Sequence, residues 1–150
     1  MKFKAELLAP CGMDCAVCKA YLAFSRGIPK QRGFFYHCVG CRPRGKRCNF
    51  LKQSCVKLLN KEIRFCFECE SFPCRRLQTI DRRYRTRYNT SLIENLRQIQ
   101  EKGVDLFLKG QETKYRCPEC GGVICIHDGV CYDCYVNRNP ARNTSAPPPG

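Results

Sequence analysis

Cys11, Cys15 and Cys18 stand on a C-x3-C-x2-C spacing inside APCGMDCAVCKAYLAF, residues 9–24. Thiolates so spaced can cradle a four-iron cluster, supply part of a zinc site, or begin a disulfide scaffold. The rest of the chain arbitrates. Fifteen of its 150 residues are cysteine, a density met in secreted disulfide frameworks and in metal proteins. The opening MKFKAELLAP is charged at Lys2, Lys4 and Glu6 and holds no apolar stretch that could form the core of a secretory signal. No later run approaches the ~20 apolar residues of a membrane span. These features predict a cytoplasmic protein without membrane contact, in a reducing compartment where metal ligation is the expected use of cysteine. An odd number of cysteines also fits poorly with complete intramolecular pairing.

Two-residue gaps recur: Cys15/Cys18, Cys38/Cys41, Cys66/Cys69, Cys117/Cys120 and Cys131/Cys134. That gap suits a knuckle, a tight turn presenting two sulfurs to one ion at about 2.3 Å each. Grouped four to a site, twelve thiolates would hold three ions, so two or three Zn2+ per chain are expected. Cys11, Cys48, Cys55, Cys74 and Cys125 fall outside the pairs; of these, Cys11, Cys55 and Cys74 join the candidate ligands. Which of the first ten cysteines share an ion is not decided by spacing, and the roles of Cys48, Cys125 and His37 stay open. The best-defined set is in RCPECGGVICIHDGVCYDC, where Cys117, Cys120, Cys131 and Cys134 flank a ten-residue interval with a turn at His127-Asp128-Gly129. It reads as a β-hairpin zinc ribbon folded by its metal, independent of the body before it.

Composition divides the chain into a cysteine-rich body (1–74), an Arg-rich helical spacer (75–112), the ribbon (113–136) and a disordered tail (137–150). In the body, Asp14 is the expected cap of a helix carrying Val17, Tyr21, Leu22 and Phe24, with Cys15 and Cys18 on its first turn. A second helix is expected from Asn49 through Leu51, Cys55, Leu58 and Leu59. In the spacer, Leu77, Ile80, Tyr84 and Tyr88 share one helical face. Ser91, with Glu94 three residues on, should cap a second spacer helix that ends near Gly103. The fold class predicted is therefore a small, metal-stabilised, α-rich α+β protein: a knuckle-and-helix body, a helical spacer and a C-terminal β-hairpin ribbon.

With these residues in view, the chain resembles the DUF3795 family, cysteine-rich, zinc-finger-like proteins without an assigned activity. The stretches carrying the resemblance are CGMDCAVCKAYLA, CVGC, RFCFECESFPCRRL, RRYRTRYNTSLIENL and CPECGGVICIHDGVCYDC. The resemblance implies metal binding at Cys11, Cys15, Cys18, Cys38, Cys41, Cys66, Cys69 and Cys74 and in the ribbon. It implies no substrate.

A radical S-adenosylmethionine enzyme would need alternating strand and helix units after the C-x3-C-x2-C motif, and the chain has none. A non-radical iron–sulfur cluster on Cys11, Cys15 and Cys18 stays open as a redox alternative. Other catalysis finds little support: no Gly-rich phosphate loop, no G-x-S-x-G elbow, and only two histidines. The protein is therefore read as a binding module.

Charge indicates for what. Lys and Arg number 27 against 13 acidic residues, a net charge of +14. Residues 75–102 hold 8 basic and 3 acidic side chains, whereas 113–136 hold 2 and 3, so the ribbon is not the basic surface. Phosphate contacts would come from Arg42, Arg44, Lys46 and Arg47 in one loop and from Arg75, Arg76, Arg82, Arg83, Arg85 and Arg87 on the spacer helix. Nucleic acid is the first partner expected. A protein partner bound through the near-neutral ribbon is the alternative, and a plain solvated basic face weighs equally against nucleic-acid binding.

Overall fold

The computed structural model describes residues 2–44 and 55–140, with Arg44 defined by its backbone alone. Lys46, Arg47, Cys48, the start of the helix expected from Asn49, and the tail from 141 lie outside the described residues. Helices α1 (Lys19–Ser25), α2 (Cys41–Arg44), α3 (Val56–Leu59), α4 (Arg75–Tyr88), α5 (Leu92–Lys102), α6 (Val104–Lys114) and α7 (Tyr132–Arg138) follow in order. Single 3-10 turns lie at Ala5–Leu7, Cys15–Val17 and Cys66–Glu68. None of the helices among the described residues is long and apolar enough to cross a membrane.

The expected α+β class with a C-terminal β-hairpin is overturned. Among the described residues there is no strand; extended pairing is confined to isolated bridges, Leu8 with Asp14, Gln31 with Phe35, Arg116 with Val123 and Ile124 with Cys131. The cause is local. The second cysteine knuckle does not turn between two strands but opens α7, its Cys131 Sγ accepting the Cys134 N–H at 3.5 Å in the manner of a helix cap. With the following residues committed to a helix, Val123 to Val130 have no long partner to pair with.

The N-terminal helix is also shorter than its apolar spacing predicts. Asp14 does cap, but it caps one 3-10 turn, its Oδ1 accepting the Ala16 N–H at 3.0 Å. Cys18 is then extended (φ −78, ψ 137), and α1 begins only at Lys19. Cys15 and Cys18 are consequently joined by one 3-10 turn, the Cys18 N–H donating to the Cys15 carbonyl at 3.0 Å, and do not share the first turn of α1.

The spacer helices form as their caps predict. Asn89 adopts the left-handed conformation (φ 51) and ends α4; the Ser91 hydroxyl accepts the Glu94 N–H at 3.1 Å and starts α5. Asp81, 3% exposed, stitches the two together: its carboxylate accepts from Ser91 Oγ at 2.8 Å, Ile93 N at 3.0 Å and Arg85 Nε at 2.8 Å. A further helix follows Gly103, where α6 buries Phe107, Leu108 and Gln111. The core joins Leu8 and Leu22 from the N-terminal region to Leu77, Leu92 and Leu96 from α4 and α5, all fully buried. This places α5 directly beneath the first cysteine loop, where Asn95 Nδ2 donates to the Gly12 carbonyl at 3.0 Å.

Candidate metal centre

Cys117, Cys120, Cys131 and Cys134 converge, their four sulfurs all within 4.8 Å of one another. Cys117 and Cys134 are 3.8 Å apart at sulfur, and Cys120 and Cys131 3.5 Å. A tetrahedral ion with metal–sulfur bonds of about 2.3 Å has edges of about 3.8 Å, so the thiols fit a four-coordinate site. The group could hold a metal ion.

The backbone builds this arrangement. Gly121 (φ +74) lets its N–H turn back to the Cys117 carbonyl at 2.9 Å, and the Gly122 N–H points to Cys120 Sγ at 3.3 Å. The N–H groups of Cys120 and Glu119 pull the Cys117 thiol down to about 7, favouring the thiolate. Cys134 is pushed up by the Cys120 side chain, and Cys131 by burial. A bound cation would favour the thiolate form of the ligands.

Asp133 anchors the second knuckle, a role that sequence reasoning missed. Its Oδ2 accepts the Val123 N–H at 2.9 Å, while Oδ1 pairs with Arg26 Nε of the N-terminal region at 3.1 Å. A Cβ at Gly122 would collide with this carboxylate, so glycine is required there for space. The signal was present, an aspartate between two ligands, but its partner lies 107 residues away.

Cys125 stands apart from the four. It is 1% exposed, and burial pushes its thiol up to about 12. Cys125→Ser should therefore keep the metal content of the chain, measured by elemental analysis. It should also cost little stability, about 1 kcal/mol in thermal or denaturant melts, because the His127 N–H that lies 3.3 Å from Sγ can be accepted by a hydroxyl in its place.

In the N-terminal body, Cys11, Cys15, Cys18, Cys38 and Cys41 line one cavity of about 480 Å3, together with Tyr84, Arg83 and His127. The Gly40 N–H reaches Cys38 Sγ at 3.4 Å and the Cys41 N–H reaches Cys15 Sγ at 3.3 Å, which brings the two knuckles against each other. Cys66 belongs to a second neighbourhood. Burial pushes its thiol well above the ordinary range, and the proximity of Cys11, Cys74, Cys55 and Cys69 adds to the rise. Lys57 Nζ lies 3.8 Å from Cys69 Sγ, and the Cys66 N–H donates to the Pro10 carbonyl at 3.0 Å. Cys11 thus borders both groups.

His37 is turned to structure, donating from Nε2 to the Ile28 carbonyl at 2.6 Å. Arg42 is similarly committed: its Nε donates to Leu8 O at 2.6 Å, its Nη2 to Arg64 O at 2.8 Å, and its guanidinium lies 4.7 Å over the Phe65 ring. Arg75, Arg76, Arg82, Arg83, Arg85 and Arg87 are all exposed along α4.

Comparison with known proteins bears on the N-terminal half. A family model for DUF3795, a protein of unknown function, matches residues 7–79, supporting the resemblance over the body and the first turn of α4. The match stops short of Cys117–Cys134, so the four-thiol site rests on its own geometry. No curated protein and no solved structure matches the chain.

Proposed function

We propose that the protein is a non-catalytic binding module in which structural zinc ions fix the cysteine loops and α4 grips the phosphate backbone of a nucleic acid. The observation that carries this reading is the exposure of six arginines on one helix of 14 residues. Asp81, the helix's single carboxylate, pairs with Arg85 Nε at 2.8 Å and otherwise turns inward to Ser91 and Ile93, so it offsets one of the six. Tyr84 and Tyr88 occupy the opposite, packed side, which leaves arginine and phosphate as the main contact and predicts weak sequence preference.

Twelve cysteines sort into three groups of four under this reading: Cys15, Cys18, Cys38 and Cys41; Cys55, Cys66, Cys69 and Cys74; and Cys117, Cys120, Cys131 and Cys134. All-thiolate, four-coordinate sites suit zinc in a structural role. The competing assignment is one iron–sulfur cluster on Cys11, Cys15 and Cys18; it is favoured by the fifth cysteine on the N-terminal cavity. Elemental analysis separates the two: zinc at two or three per chain supports the proposal, and iron with acid-labile sulfide replaces it.

Binding is tested by salt. Log affinity for duplex DNA or RNA should fall linearly with log salt. Changing Arg82, Arg83, Arg85 and Arg87 together to glutamine should flatten that slope by up to about 0.9 for each phosphate no longer neutralised, with metal content unchanged. An unchanged slope would exonerate α4. No binding at low salt would leave the protein-adapter reading in its place.

A further inference from the structure

Helix α3 ends in a Schellman motif: the Lys61 N–H donates to the Leu58 carbonyl at 3.3 Å and the Glu62 N–H to the Lys57 carbonyl at 2.9 Å. Such an end needs one residue in the left-handed conformation, and glycine is the usual one because a Cβ there costs stability. Here the position is Lys61, with φ 58. Among the described residues Asn89 is the other non-glycine residue with positive φ, and asparagine visits that conformation far more readily than lysine. A lysine held there against its preference points to a use for its side chain.

Lys61 lines a cavity of about 530 Å3, within the size range of small-molecule sites. Its wall is apolar, formed by Pro10, Leu58, Leu59 and Ile63, and its charged residues are all cations: Arg42, Lys61 and Arg64. Arg42 and Arg64 lie 4.7 and 5.9 Å from the centre of the Phe65 ring, near enough for the Arg64 charge to act against that of Arg42. Arg42 commits Nε and Nη2 to the Leu8 and Arg64 carbonyls. The Lys61 and Arg64 side chains have no hydrogen bond or ion pair among the described residues. Glu68, the carboxylate touching this turn, directs Oε2 to the Arg64 and Phe65 backbone N–H groups at 3.0 and 2.6 Å.

We propose that this cavity binds one small amphiphilic anion, a carboxylate or phosphate head group on a short apolar chain, with Arg64 and Lys61 holding the head and Leu58, Leu59, Ile63 and Pro10 covering the chain. Arg42, fixed by its two carbonyls, adds positive charge behind the head group. A bare inorganic anion would answer the cations and leave the apolar wall wet, Leu59 being 55% exposed. A neutral hydrocarbon would cover the wall and leave the cations without a counter-charge. Only a ligand with both parts fits both. No residue of the cavity belongs to α4, so the site does not depend on that helix binding nucleic acid.

The test is calorimetric titration of the full chain with octanoate, beside octanol and inorganic phosphate as the two halves of the ligand. Octanoate should bind saturably at one site per chain, at least about tenfold tighter than either half. Arg64→Gln should weaken octanoate about tenfold, the worth of one hydrogen bond to a charged group, with the melting temperature unchanged. Lys61→Gly should weaken octanoate several-fold and yet raise the melting temperature by about 2–4 °C, because glycine closes α3 without the cost of a Cβ. A lysine kept for structure alone would give neither effect on octanoate nor a gain in stability. Absence of octanoate binding, affinity that both variants retain, or octanol or inorganic phosphate bound as tightly as octanoate overturns the proposal. Attachment to phosphatidylglycerol vesicles without octanoate binding also overturns it, and would make the patch a membrane contact.

Discussion

Cys120→Ser should remove one metal ion per chain and lower the melting temperature by more than any substitution of a non-ligand residue in the C-terminal region. Apparent metal-binding energies of about 10–16 kcal/mol at small structural zinc sites are folding energy for segments this short. The segment itself contributes Tyr115, Val123, Cys125 and Tyr132 to the core, too little to hold two knuckles together once the fourth thiolate is gone. Sequence alone argues that such damage would stop at residue 113, since the unit looks like an independent ribbon. The packing argues otherwise. The Ile126 N–H donates to the Val17 carbonyl at 3.0 Å, Lys19 Nζ meets Asp128 at 3.7 Å, and Arg26 pairs with Asp133. Phe35 packs edge-on against Tyr132 at 6.0 Å. The contacts of Val17, Lys19 and Arg26 tie the unit to the segment 15–26, which carries Cys15 and Cys18. The expected result is therefore wider than one lost ion: amide hydrogen exchange should rise at residues 15–26 as well as at 113–136. Exchange confined to 113–136 would show that the two parts fold separately.

What could be read from the sequence was what short spacing encodes. The Cys117, Cys120, Cys131, Cys134 set needed only two knuckles and an interval, and the structure brings those four sulfurs together. The junction of α4 and α5 was readable for the same reason, because Ser91 and Glu94 are neighbours in sequence and in space. The hairpin failed because two bridging residues flanked by turns look like strands to alternation, whereas the Cys131 cap commits the next seven residues to α7. Grouping of the first ten cysteines stayed open for a different reason: Cys15 and Cys41 are brought together across 26 residues, and Cys66 reaches Pro10 across a longer stretch still. No local pattern records that. Arg42 shows the limit of charge counting, since its place in RPRGKR marked it as a phosphate contact while its guanidinium is spent on two carbonyls.

Gly12→Ala should be strongly destabilising although it touches no thiol ligand, and it tests how the first cysteine loop is seated. Gly12 has φ +89, in the left-handed region that costs a residue with a Cβ about 1–2 kcal/mol. The added carbon would also lie 2.7 Å from the Leu92 carbonyl oxygen and 2.9 Å from Leu96 Cγ. Neither neighbour can give way easily, because Leu92 and Leu96 are fully buried and the carbonyl belongs to the first turn of α5. Overpacking of this kind costs about 1–3 kcal/mol more. The loop must then lift from α5, stretching the 3.0 Å bond from Asn95 Nδ2 to the Gly12 carbonyl and shifting Cys11 on the cavity wall. A loss of about 3 kcal/mol in a chain of this size lowers the melting temperature by roughly 6–12 °C. Gly33→Ala supplies the comparison. Gly33 has φ +77, but a Cβ placed there would meet nothing within 4 Å, so it carries the backbone cost without the collision. The difference between the two variants measures the packing of the cysteine loop on α5, and equal melting temperatures would mean that the loop is not held against that helix.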